Sequence, residues 1–250
     1  MIRGALNHIV RLSLAPVCAA CKAELERPLD GAICPRCWFS ITSVAPPWCE
    51  RCGEELFARS YGEPGPLCTR CVERPPHYSV ARSAGRYDGA LRELIQAFKF
   101  SRRRLLAEPL GRMMRIAGAD VLGGVDAVIP VPLHPLRSIR RGFNQADDLA
   151  RQLEQPVWRA LRRRRHGPPQ ASLTAAARHA NLAAAFAISP SWSFRARLRG
   201  RSLAGRTVVV VDDVMTTGDT IEACSVVLLR AGAREVRALT AARTTGRRDY

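Results

Sequence analysis

Apolar residues recur along this chain with two textures, and the change between them falls near Pro75-Pro76, a natural linker. From Tyr78 onward, stretches with helical spacing alternate with short aliphatic runs. In Ala90–Phe100 (ALRELIQAFKF), Leu91, Leu94, Ile95 and Phe98 share one helical face; after the basic turn Ser101–Arg104 a second helical stretch runs to Ala117. Asp126–Val131 (DAVIPV) reads as a short buried strand, Phe143–Leu153 as a helix, and Ala175–Ala185 as a helix or extended turn. Thr207–Val211 (TVVVV) is the strongest strand pattern, followed by a helix over Thr220–Ala231 that ends at Gly232 and a strand over Glu235–Ala241. Strands separated by helices predict an α/β fold: a parallel sheet flanked by helices over residues 78–250.

Residues 1–75 have only short apolar runs, interrupted by Pro and Gly, too little to build a core unaided. What they do have is cysteine, in four pairs of one form: Cys18 with Cys21, Cys34 with Cys37, Cys49 with Cys52, and Cys68 with Cys71. A C-x-x-C turn aims two thiolates at one centre, so four turns make two tetrahedral S4 sites of the closed, structural zinc kind. Sequential and crossed pairings fit the spacings equally well. Structural zinc is worth roughly 10–16 kcal/mol in finger peptides, enough to fold such a segment. Disulfides are the alternative, but the start of the chain is broken by Arg3, Asn7, His8 and Arg11 and does not read as a signal peptide. No run of 18 or more apolar residues occurs; the expectation is a cytoplasmic protein without membrane insertion.

Charge changes the picture. The net charge is +17, and because Lys22 and Lys99 are the only lysines the basic side is almost wholly arginine, whose planar fork suits phosphate. Arg102–Arg104, Arg137 with Arg140 and Arg141, and Arg162–Arg165 are local enough to suggest an anionic partner. Aromatics are 6% and are not interleaved with these runs, so the stacking half of a single-strand-binding signature is missing.

The candidate chemistry lies where the TVVVV strand runs into two carboxylates and a Thr/Gly loop: Asp212, Asp213, Val214, Met215, Thr216, Thr217, Gly218, Asp219 and Thr220. Open α/β sheets bind ligands outside the carboxyl ends of their strands. The loop amides and the helix N-terminus beyond it aim partial positive charge at one point, the threonines add hydroxyl donors, and Gly218 lets the backbone approach closely. Asp212 and Asp213 suit sugar hydroxyls, so the whole describes a ribose-5-phosphate site. A magnesium ATPase would need a P-loop, and Gly200–Thr207 has Arg206 where lysine is required and precedes a strand instead of following one. Cys224, alone on the following helix, reads as core.

VVVVDDVMTTGDT resembles the phosphoribosyl-diphosphate motif of type I phosphoribosyltransferases. With IPVPLHPLRSIRRGFNQA, GPPQASLTAAARHANLAAAF, FKF and the paired C-x-x-C elements, nearly the whole chain resembles the ComF/GntX family, named for competence and DNA utilisation. The resemblance implies the type I phosphoribosyltransferase fold behind a small N-terminal double zinc ribbon. It implies phosphoribosyl diphosphate with magnesium as ligand, Val131–His134 as a diphosphate loop, Arg137, Arg141, Asn144 and Gln145 beside it, and Arg162–Gln170 as a flap. Gly167 stands where the family pattern has threonine, leaving contacts near that turn to Arg178–Asn181. Two functions follow from the resemblance: a phosphoribosyltransferase with an acceptor the residues do not name, or a non-enzymatic accessory of DNA uptake that holds single-stranded DNA and docks a helicase-like partner through the ribbons.

Overall fold

The computed structural model describes residues 15–56, 66–100, 103–133, 142–164 and 185–245, with isolated positions before residue 15. The strands are β1 (Ala81–Arg86), β2 (Ala127–Pro130), β3 (Leu161–Arg163), β4 (Phe186–Ile188), β5 (Thr207–Met215) and β6 (Glu235–Arg243). The helices are α1 (Pro35–Phe39), α2 (Thr69–Glu73), α3 (Gly89–Phe100), α4 (Ala107–Ala117), α5 (Ala119–Leu122), α6 (Gln145–Arg151), α7 (Pro190–Leu198) and α8 (Asp219–Arg230). Four strands form one sheet in the order β1-β6-β5-β2, every neighbouring pair parallel. β3 and β4 form a separate antiparallel pair.

The continuous aliphatic run in β5 follows from burial on both faces, as parallel sheets require. Alternation along the strand sends Val208 and Val210 into one hydrophobic cluster, with α8, and Val209 and Val211 into the other, with α3 and α4. β5 and β6 run further than the sequence pattern predicts, through Met215 and Arg243, because Asp212, Val214 and Met215 keep pairing with Thr240, Ala242 and Arg243.

Neither cysteine-rich segment stands apart from this core. Cys18 and Cys37 belong to the cluster under α3 and α4, while Cys49, Cys52 and Cys71 belong to the cluster on the α8 side. The second segment also covers the free edge of β1: Ala81 N donates to Arg51 O at 2.7 Å, Arg86 N donates to Thr42 O at 2.8 Å, and the Arg86 guanidinium grips both oxygens of Glu55 at 2.7 and 3.0 Å. Gly53 is needed here, because at φ +69 its position would put a Cβ 2.6 Å from Ala81 O.

Arg137, Arg141 and His134 lie outside the described residues, as do most of the flap Arg162–Gln170, the whole of Arg178–Asn181 and Ala175–Ala185 apart from Ala185 itself. The described start of the flap, Arg162 and Arg163, lies in the strand Leu161–Arg163. No helix of the described residues is long and apolar enough to cross a membrane.

Candidate functional site

β5 delivers its carboxylates to the carboxyl edge of the sheet and separates them. Asp213 faces α3, where its Oδ1 meets Lys99 Nζ at 2.7 Å with both side chains mostly covered. Asp212 lies on the α8 side and accepts from the Asp213 amide at 2.9 Å; its charge acts on buried Cys224 and on Arg163 of β3. Burial pushes Asp212 up to about 7, the neighbouring charge of Asp213 adds to the rise, and the Asp213 amide, Lys99 and Arg163 oppose it. Some Asp212 surface remains open to solvent although protein surrounds most of it. A carboxyl poised near neutrality at a strand end is a group that an incoming cation or donor would ionise. Cys224 is core, 0% exposed, and burial raises its thiol far above the ordinary range.

Beyond Met215 the chain makes a short loop into α8. Val214 is half-buried and Met215 buried beneath the loop, while Thr216 and Thr217 are exposed. Gly218, at φ 82 in the left-handed region, is the N-cap of α8, so the first amides of that helix have no side-chain cap and remain directed at the loop. Asp219 and Thr220 open the helix; the Asp219 carboxylate suits the positive helix end and takes the Thr217 hydroxyl at 2.7 Å. A ligand phosphate would therefore displace or share the Thr217 donor. The Thr217 hydroxyl is thus engaged within the chain, while the first α8 amides are left without a side-chain cap.

On the neighbouring β2 edge, Asn144 Nδ2 donates to Val131 O at 3.0 Å and its Oδ1 accepts from Ala146 N at 3.1 Å, tying the Val131 loop to the start of α6. Gln145 follows it, 1% exposed. A cleft of about 230 Å³ opens there between Pro130, Pro132, Asn144, Asp147, Arg159 and Leu161. α6 also answers part of the arginine question. Asp148 takes Arg104 bidentately at 2.7 Å on both oxygens, and Asp147 takes Arg159 at 2.6 and 3.0 Å. Arg103 donates to Val17 O. Of the cluster Arg102–Arg104, the described members thus find acceptors inside the chain, Arg104 on the α6 carboxylate Asp148 and Arg103 on a carbonyl of the first cysteine-rich segment.

The eight cysteines gather sequentially: Cys18, Cys21, Cys34 and Cys37 in one group, Cys49, Cys52, Cys68 and Cys71 in the other, with the ligand atoms of each group within 4.8 Å of one another. Cys21 Sγ lies 3.8 Å from Cys34 Sγ, and Cys52 Sγ lies 3.7 Å from Cys68 Sγ. A tetrahedron with Zn–S bonds of about 2.3 Å has an edge of about 3.8 Å, so the sulfurs fit zinc. Four thiolates this close would repel one another strongly, and a dication cancels that repulsion.

The sequence does not mark Lys99, Arg70 or Tyr78 as site residues; the fold brings Lys99 to the carboxylates, together with Arg163 of the basic run Arg162–Arg165, and Arg70 and Tyr78 to the loop. Lys99 had a signal: one of only two lysines, it stands in the FKF element just before the basic turn Ser101–Arg104. Arg70 and Tyr78 had none, since their approach spans more than a local motif.

A model of the phosphoribosyl transferase domain family matches residues 139–249, and a model of the double zinc ribbon domain family matches residues 9–74. Competence protein F of Haemophilus influenzae is 32% identical over 232 residues, covering 88% of this chain and 93% of its own. The DNA utilization protein YhgH of Escherichia coli K12 is 30% identical over 238 residues, covering 91% of this chain and 90% of its own. Among solved structures, the allosteric regulatory enzyme of purine biosynthesis aligns with 58% of this chain and 30% of its own at 19% identity and a TM-score of 0.37, a likeness that carries no argument.

Proposed function

Since the chain belongs to the family of competence protein F and the DNA utilization protein YhgH, we propose that its phosphoribosyl transferase domain binds phosphoribosyl diphosphate with magnesium and transfers the phosphoribosyl group to an acceptor nucleophile. The observation that carries this reading is the end of β5: two carboxylates followed directly by a loop that Gly218 turns into the uncapped start of α8. The α8 amides take the 5-phosphate. Asp212 and Asp213 accept from the ribose hydroxyls, Asp213 by exchanging Lys99 for the sugar, which frees the Lys99 ammonium for the diphosphate side. The Val131 loop, held by Asn144, borders the cleft into which the diphosphate would extend; Gln145, Arg137 and Arg141 belong to the same proposal.

Magnesium prefers a few carboxylates together with substrate phosphates, a donor set that the β5 end supplies, and when bound it would neutralise the leaving diphosphate. The bond from the acceptor to C1 forms as the bond from C1 to diphosphate breaks. The residues' share of this is positioning and charge stabilisation. Reduced thiolates on zinc suit a cytoplasmic setting.

Isothermal titration of phosphoribosyl diphosphate with magnesium tests the reading. Micromolar binding is expected for the native chain and none for the folded double variant Asp212→Asn, Asp213→Asn; equal affinity in both would sink the site assignment.

One observation favours a second reading, a non-enzymatic accessory that holds single-stranded DNA and meets a helicase-like partner through the ribbons. α7 and the residues after it expose Arg195, Arg197, Arg199 and Arg201, and Trp192 lines a groove of about 390 Å³ with Arg197 and Arg201. Trp192 and Phe194 directly precede these arginines in the chain, an aromatic-basic stretch outside the three arginine clusters singled out above. Oligonucleotide affinity that falls steeply with salt, with no response to phosphoribosyl diphosphate, would favour this reading over transfer.

A further inference from the structure

The second zinc ribbon reaches the phosphate loop. Arg70 stands between Cys68 and Cys71 on α2, a turn that begins at Cys68 and whose backbone the cysteine cluster holds. Its guanidinium lies against Gly218: a Cβ placed there would sit 3.2 Å from Arg70 Nη2, 3.6 Å from the Tyr78 hydroxyl and 2.8 Å from Met215 Cε. Arg70 is an exposed residue beside the start of α8. Tyr78 is 1% exposed, and its hydroxyl has no hydrogen-bond partner among the described residues. A buried hydroxyl left in that state is costly, and a phosphate or an ordered donor at the loop would end it. Five donors in a planar fork can serve the ribbon and the loop together.

Resting on the phosphoribosyl reading above, we infer that Arg70, carried by the second zinc ribbon, is a ligand of the 5-phosphate, which couples occupancy of the second cysteine cluster to ligand binding and leaves the first cluster uncoupled. Helix amides and a guanidinium would converge on one anion. The amides come from the transferase domain and the arginine from the ribbon, so neither part makes the complete site alone.

The test uses the full zinc-loaded chain and ribose 5-phosphate, followed by calorimetry and by phosphorus NMR. Arg70→Ala keeps zinc at the native content while affinity falls about tenfold or more, as loss of a hydrogen bond to a charged group predicts, and Arg70→Lys recovers part of it. The second ionisation of a phosphate monoester, near 6 when free, is drawn down in the native complex and moves back up in Arg70→Ala at saturating ligand, a shift that a purely structural arginine would not produce. Cys68→Ser loses zinc and binding together, whereas Cys18→Ser loses zinc and keeps binding. Failure of the native chain to bind ribose 5-phosphate would overturn the phosphoribosyl reading and this inference together. Native binding with equal affinity or an unmoved phosphate ionisation in Arg70→Ala would overturn the inference alone.

Discussion

The two zinc ribbons have the same ligand set and occupy opposite sides of the same sheet. The first, around Cys18 and Cys37, packs with α3 and α4, and Arg103 holds it through the Val17 carbonyl at 2.9 Å. The second, around Cys49 and Cys52, lies on the α8 side, where Cys52 O accepts from the buried Arg243 at the end of β6 and α2 reaches the loop at Gly218. Identical metal chemistry therefore has different placements: one ribbon covers a helical layer, the other reaches the loop at the start of α8. Ligation determines the shape of each ribbon, and its docking determines what it can influence.

The strongest challenge to that contrast is to remove one ligand from each cluster. Cys52→Ser is expected to release one of two zinc ions, unfold the second ribbon and abolish phosphoribosyl diphosphate binding, since a structural zinc is worth roughly 10–16 kcal/mol in isolated fingers. Cys18→Ser or Cys34→Ser should also release one ion and unfold its own segment, yet change ligand affinity by about twofold or less, as distant independent sites do. Metal analysis with calorimetry on the variants decides this, and a cysteine variant with full zinc content would refute the S4 assignment.

Next in size is Arg243→Met. Arg243 is 2% exposed and holds Cys52 O, with Glu54 at 3.7 Å, so its loss strands an acceptor and a carboxylate beneath the second ribbon; about 3 kcal/mol of stability should go in urea titration. Gly218→Ala should cost about 1–2 kcal/mol from its left-handed φ and the Met215 contact, with ligand affinity falling further than stability.

The smallest effect concerns Asp212, on the second ribbon's side of the sheet. Its folded ionisation lies above that of the unfolded chain, so its contribution to stability is fully present below pH 4, about the unfolded value, and is lost as pH rises through about 7. Without ligand, Asp212→Asn should therefore melt about 2–4 °C higher than the native chain at pH 8, the shift of about 1 kcal/mol, and no higher at pH 4. A difference independent of pH would show that burial does not raise this carboxyl.

Much of the fold was legible because its signals are local. The aliphatic β5, the helical face of Leu91, Leu94, Ile95 and Phe98, and the glycine after α8 each follow from a few adjacent residues, and the structure differs mainly at element ends. The extension of β5 to Met215 needed its partner β6, since polar Asp212 and Asp213 do not read as strand until Thr240 and Ala242 pair alongside. The opposite facing of the two aspartates was implicit in strand alternation. Lys99 at Asp213 had only the hint of a rare lysine, and Arg70 at Gly218 had no local signal.

By itself the sequence determined which groups lie together locally: four C-x-x-C turns spaced for metal, and a strand–carboxylate–loop–helix run to which the proposed ribose-phosphate binding is assigned, because spacing over a few residues fixes which side chains can converge. Only the tertiary structure decided that the cysteines pair sequentially, that Asp148 occupies Arg104, that Lys99 holds Asp213, and that one ribbon and not the other borders the phosphate loop. Each of those contacts joins residues distant in the chain or chooses between spacings that are locally equivalent, and packing against the two faces of the sheet makes the choice.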